Sequence, residues 1–136
     1  MIFDVEALLL ARLAAKCAPG SVLLGTFDAA DLTDDSTSPV VGQVQIAGTS
    51  PTGATGSNLR LGVVYAVQVF LDTARADAGE KAAAATLFED ALAALVDYEY
   101  APGRNVQIVG GPASEFNGRV LRLAFGLTFP AHVVGT

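Results

Sequence analysis

A chain of 136 residues with one cysteine, one histidine, one methionine and no tryptophan holds few of the side chains from which catalytic and metal centres are built. The single thiol, Cys17, excludes an intrachain disulfide. Basic residues are scarce too. The eight lysines and arginines (Arg12, Lys16, Arg60, Arg75, Lys81, Arg104, Arg119 and Arg122) are scattered singly against fourteen acids, for a net charge of -6. Nucleic-acid binders need basic stripes that displace counterions from phosphates, so direct recognition of DNA or RNA is not expected. An acidic surface does suit a channel through which DNA slides without sticking. No apolar run approaches the roughly 18 residues that cross a bilayer, so no membrane partner is expected. The apolar stretch Ala7 to Ala11 follows Asp4 and Glu6 rather than a basic region. It does not read as a signal peptide, which points to synthesis in a reducing cytoplasm.

What the chain has in quantity is apolar surface. Hydrophobic residues make up 51% of it and charged residues only 16%. The length fits one domain, residues 1–136, and a domain of this size buries roughly two-thirds of its unfolded surface. The remaining apolar residues are left partly outside, where they mark association.

Residues Asp4 to Cys17 read as a helix, capped by Asp4 and burying a stripe of Val5, Leu8, Leu9 and Leu13. Pro19-Gly20 stops it. A short strand over Val22 to Phe27 leads into an acidic loop, Asp28 to Ser38. A second strand spans Val40 to Ala47, and the polar segment Gly48 to Asn58 reads as a long hairpin tip. From Leu59 to Leu71 apolar residues alternate strictly, predicting a strand on the order of 40 Å long. That is as long as a compact domain of this size is wide, so the strand must bend near Gly62 or project as an arm.

Asp77 and Glu80 form a capping-box pattern ahead of a second helix, which runs to about Val96 and buries Ala84, Leu87, Phe88, Ala91, Leu92 and Leu95. A turn at Pro102-Gly103, a short strand Val106 to Val109 and a last strand Arg119 to Phe129 complete the order α-β-β-β-α-β-β. The class is α+β: a mostly antiparallel sheet with two helices packed on one face and a long β-hairpin. On the last strand Leu121, Leu123, Phe125, Leu127 and Phe129 form the core face. Arg122, Ala124, Gly126 and Thr128 form a face that is solvated or packed on a neighbour.

No constellation points to chemistry. His132 reads as an exposed tail histidine after Pro130, far in sequence from any nucleophile. Cys17 reads as a small core residue, because a reactive thiol needs an electropositive neighbour and Lys16 points elsewhere on the helix. Asp28, Asp31, Asp34 and Asp35 lack the spacing, glycine and closing glutamate of a calcium loop. Gly48 to Asn58 lacks the lysine of a phosphate-binding loop, and Gly110-Gly111-Pro112 lacks a following helix. Glu89 and Asp90 read as a solvated pair on a helix face. No catalytic residue, metal or cofactor is expected.

The opening Met1-Ile2-Phe3-Asp4-Val5-Glu6, the alanine-rich helix after one long strand, and the closing Arg119-Val120-Leu121-Arg122-Leu123-Ala124-Phe125 together resemble phage tail terminator proteins. The pattern is most similar to the small tail-completion proteins of Mu-like and other tailed phages. The resemblance implies an α+β subunit of a hexameric ring that caps the tail tube, ends its polymerisation and joins the tail to the head connector. It implies as partners further copies of the chain, the tail tube protein and the head-tail connector protein, in a virion assembled in the host cytoplasm. Ring subunits meet head to tail through two different patches. One is expected on the hairpin, at Thr49, Pro51, Thr52, Thr55, Asn58 and Arg60, and the other on the last strand, at Arg122 and Thr128. Asp28, Asp31, Asp34 and Asp35 are the expected lumen-facing acids. Two other readings stand beside this one: another neck component, such as a head-completion or head-tail adaptor protein, and a small-ligand binding domain or enzyme. The last needs a deep pocket with convergent polar groups.

Overall fold

The computed structural model describes residues 2–28, 32, 38–55, 58–110 and 113–134, with side chains for all of these except 2–3, 49–55, 58–61 and 130–134. Helix α1 spans Ile2–Lys16, so Asp4 lies inside the first turn rather than capping it, where its charge still opposes the helix dipole favourably. Val5, Leu9, Leu13 and Cys17 are buried, and Leu8, expected in that seam, is 40% exposed. Each four-residue step advances the seam by about 40° in one direction, so Leu8 falls on its trailing side.

Helix α2 spans Ala78–Leu95 and starts as its sequence dictates. The Asp77 carboxylate accepts from the Glu80 N–H at 2.7 Å, and the Glu80 carboxylate accepts from the Asp77 N–H at 3.1 Å. Both partners of the capping box are therefore satisfied. Ala84, Leu87, Ala91, Ala94 and Leu95 are buried, whereas Phe88 and Leu92 are only partly so.

The helices pack on one face of a six-stranded sheet built from three long strands, β2 (Val40–Thr55), β3 (Asn58–Asp72) and β8 (Val120–Val134). β1 (Leu23–Leu24) pairs with β2 in parallel, and the other pairings are antiparallel. β4 (Glu99–Ala101) and β5 (Arg104–Asn105) form a separate hairpin around Gly103, whose φ of 70° suits glycine. β6 (Gln107–Ile108) and β7 (Ala113–Phe116) both line the outer edge of β8. The core joins Leu9, Leu13 and Leu95 to Tyr65, Phe125, Leu127 and Phe129, with Tyr65 and Phe129 stacked at 5.7 Å.

Three expectations are corrected. The polar segment from Gly48 is not a loop: β2 continues through it to Thr55, pairing with β3 and absorbing irregularity at bulges between Ile46 and Gly48 and between Pro51 and Gly53. A partner ladder on β3, interrupted only at these bulges, overrides the weak strand preference of Gly, Ser and Pro there. The last strand does not end at Phe129 but at Val134, so His132 sits in strand opposite Arg60 rather than in a tail. The first strand shrinks from Val22–Phe27 to Leu23–Leu24, because Gly25 to Asp28 close a turn instead.

Candidate assembly surface

Each long strand is about 50 Å from end to end, whereas α2, with 18 residues, is only about 27 Å long. Among the residues whose side chains are described, the core can be followed to Ile46, Val63 and Phe129. Beyond it β2 continues from Ala47 to Thr55, β3 extends from Gly62 to Asn58, and β8 from Pro130 to Val134. These far ends, the arm, are three-stranded, where the alternation of β3 left open a bend near Gly62 or a projection. Its register with β8 runs without a break from Asp72 to Asn58, passing straight through Gly62. Thr49, Pro51, Thr52, Thr55, Asn58 and Arg60 all lie on this arm, in strand.

Arg122 and Thr128, the other two expected interface residues, are half-buried and make contacts within the chain. The Arg122 guanidinium donates to the Gln68 side-chain carbonyl and lies 3.6 Å from the Glu115 carboxylate. The Gln68 amide in turn donates to Gln45 at 3.0 Å. A polar row thus crosses β7, β8, β3 and β2 on the face away from the helices. The Thr128 hydroxyl donates to the Val63 carbonyl at 2.9 Å. Nor is this face plainly solvated: Ala124 is buried, and a Cβ on Gly126 would meet the Val109 carbonyl at 2.7 Å. Sequence reasoning missed β7, because Ala113–Phe116 is exposed at every position and shows no alternation.

At the arm's root an open crevice of about 520 Å³ separates the β4–β5 hairpin from β8, lined by Tyr100, Arg104, Asn105, Gln107 and Thr128. The Tyr100 ring meets Phe129 edge-on at 5.7 Å, and its buried hydroxyl has no hydrogen-bond partner among the described residues. A second open groove, about 430 Å³, runs between Ala18–Val22 and the first half of α2 and is lined mostly by small and apolar residues, with Glu80 and Asp90 at its wall. Neither gathers a set of titratable groups.

At the opposite end Asp72, fully buried, receives Arg119 and Arg75 together. Hydrogen bonds from Arg119, then from Arg75, hold its carboxyl well below the usual range against the opposing effect of burial. Of the four acids expected to face a lumen, Asp28 is exposed and accepts from the Gly25 N–H at 2.7 Å, while Asp31, Asp34 and Asp35 lie outside the described residues.

The Cys17 thiol is buried, and burial followed by the charge of Asp90 pushes its pKa up, which keeps it a thiol rather than a nucleophilic thiolate. Asp90 itself is half-buried, so the Glu89–Asp90 pair is not wholly solvated. Among the described residues no group of three His, Cys, Asp or Glu side chains is placed to hold a metal, and no helix is long and apolar enough to cross a membrane. Large apolar side chains do reach the surface, with Phe116 60% exposed and Val96 48%.

No family model matches the chain, and no curated protein matches it. A solved structure does: the sheath/tube terminator of PVC, an extracellular contractile injection system, determined by cryo-EM in the extended state. The two share a TM-score of 0.64 at 16% sequence identity, over 100% of this chain and 60% of that one. This chain therefore spans about 60% of the length of the terminator subunit it matches. At that identity the likeness is one of fold, to a sheath/tube terminator, and it carries no pointer to Mu-like phages.

Proposed function

We propose that this chain is a structural subunit that terminates a tail-like tube, assembling as a ring of copies at the tube's end. The observation that carries the reading is the three-stranded arm extending past the helical layer, in a fold like that of a sheath/tube terminator. Isolated strands of this length expose backbone groups that seek partners. Surface-exposed Phe116 and Leu8 add apolar area of the kind that is buried on association.

In this reading the chain acts as one domain and performs no catalysis. Six copies form the ring, which stops polymerisation of the tube protein and offers its other side to a connector at the head. The net charge of -6 keeps the ring from gripping DNA that passes through it. Its place is the tail or neck of a particle assembled in the host cytoplasm.

The test is to add purified protein, far below stoichiometric amounts, to polymerising tube protein of the same particle. Tubes are expected to stop at shorter lengths, with extra density at one end in electron micrographs. Unchanged tube lengths, together with a monomeric mass by light scattering, would sink the reading.

A further inference from the structure

Which surfaces close the ring follows from the edges of the arm. On the outer side of β2, β1 pairs only with Gly42 and Gln43, and Thr26 caps the Ile46 N–H. From Gly48 to Thr55 that edge has no strand partner among the described residues. On the outer side of β8, β7 takes Leu121 to Ala124 and β6 takes Leu127 and Thr128. From Phe129 to Val134 that edge too has no strand partner among the described residues.

The two open stretches stand at one level of the sheet. Thr49 is level with Val63 and so with Phe129; Thr55 is level with Asn58 and so with Val134. Since β2 and β8 both run antiparallel to β3, they run in the same direction. A neighbour related by rotation about a ring axis keeps its height and its strand direction. Its β2 edge would therefore come beside this copy's β8 edge, parallel and level. Two different edges meeting in this way form a head-to-tail contact, which closes into a ring.

We propose that adjacent copies pair Phe129–Val134 of β8 in parallel with Gly48–Thr55 of β2, joining the arms into one closed barrel. The inference rests on the ring reading above and names the contact that makes the ring. Pairing satisfies the backbone groups that both edges leave open, and closure abolishes the edges altogether. Six copies bringing three arm strands each give roughly eighteen strands, a size at which closed barrels enclose a water-filled channel. Pro51 and Pro130 lie one on each edge and each lacks an N–H. They restrict the joint to registers in which neither nitrogen is asked to donate, which disfavours casual strand addition by other chains.

The test is disulfide formation between strands. In the full chain with Cys17→Ala, one cysteine is placed in β2 (Thr49→Cys or Ala54→Cys) and one in β8 (Ala131→Cys or Val133→Cys). Within a copy β3 lies between these strands and holds them roughly 10 Å apart, beyond the reach of a disulfide. Every β2–β8 bond is therefore between copies.

Oxidation of the assembled protein is expected to give a ladder past the dimer on non-reducing gels for at least one pair. Single-cysteine controls are expected to stop at dimer. As a readout without mutation, amide exchange at 48–55 and 129–134 is expected to slow at least tenfold on assembly. A wild-type ring that yields no ladder for any of the four pairs, and no slowing of exchange, overturns this contact while leaving the ring reading intact. A chain that stays monomeric at every concentration overturns both.

Discussion

Arg119 clasps Asp72 with two parallel hydrogen bonds, Nε to Oδ1 at 3.1 Å and Nη2 to Oδ2 at 3.0 Å. The pair ties the last residue of β3 to the residue preceding β8, across 47 positions of sequence. Arg75 adds a third bond at 2.8 Å and the Ala74 N–H a fourth at 3.1 Å, so a fully buried carboxylate keeps its charge. Two-pronged arginine–carboxylate geometry is among the stronger polar contacts a protein makes.

A pH dependence follows from the lowered pKa of Asp72. The folded state holds the carboxyl below the unfolded value of about 3.9, so the contribution to stability is complete above that pH. It is lost progressively as pH falls toward the folded pKa. Asp72→Asn is expected to lower Tm at pH 7, and its Tm is expected to fall less steeply than wild type below pH 4. Calorimetry across pH 2 to 7 checks this; parallel curves would reject it.

Asp77→Ala removes the acceptor for the Glu80 N–H at the start of α2. The expected cost is about 1 kcal/mol. Glu80→Gln keeps an acceptor for the Asp77 N–H and should cost less than half as much. Urea denaturation of the three proteins decides, and equal losses for the two variants would contradict the reciprocal cap.

Tyr65 is buried in the core, and its phenol is pushed up to about 12, first by burial and then by the charge and hydrogen bond of Glu6. Because the folded pKa lies above the unfolded value of about 10, its contribution is intact below pH 10 and drains away as pH rises toward 12. Absorbance near 295 nm should show a tyrosine that resists ionisation until the protein unfolds. Tyr65→Phe should remove that delayed step and cost about 1 kcal/mol near pH 7. A delayed step that persists unchanged in Tyr65→Phe would refute it.

Gly126 accepts the Val109 N–H through its carbonyl at 2.9 Å, and any Cβ there would press the Val109 carbonyl. Gly126→Ala is expected to lose about 1–3 kcal/mol and to loosen β6 from the edge of β8. Faster amide exchange at Gln107 to Val109 would report it, and unchanged exchange with unchanged stability would count against it.

The buried alternation of β3 and β8 could be read from residues alone, as could the cap at Asp77, because each depends on neighbours within a few positions. The i, i+4 seam of α1 was nearly so, with Leu8 misplaced by one side of the helix. Other features depend on partners far along the chain. Gly48 to Thr55 is strand only because β3 supplies the opposite ladder, and His132 is in strand only because Arg60 stands across from it. Ala113–Phe116 pairs with β8 without any apolar pattern of its own.

Local spacing determined the class of this protein, its helices, and the excess of apolar surface that asks for company. Tertiary structure decided where the open edges lie and that they share one level. Backbone hydrogen bonds carry no side-chain signature, so strand register and strand ends are set by the partner strand and not by the residues that form them.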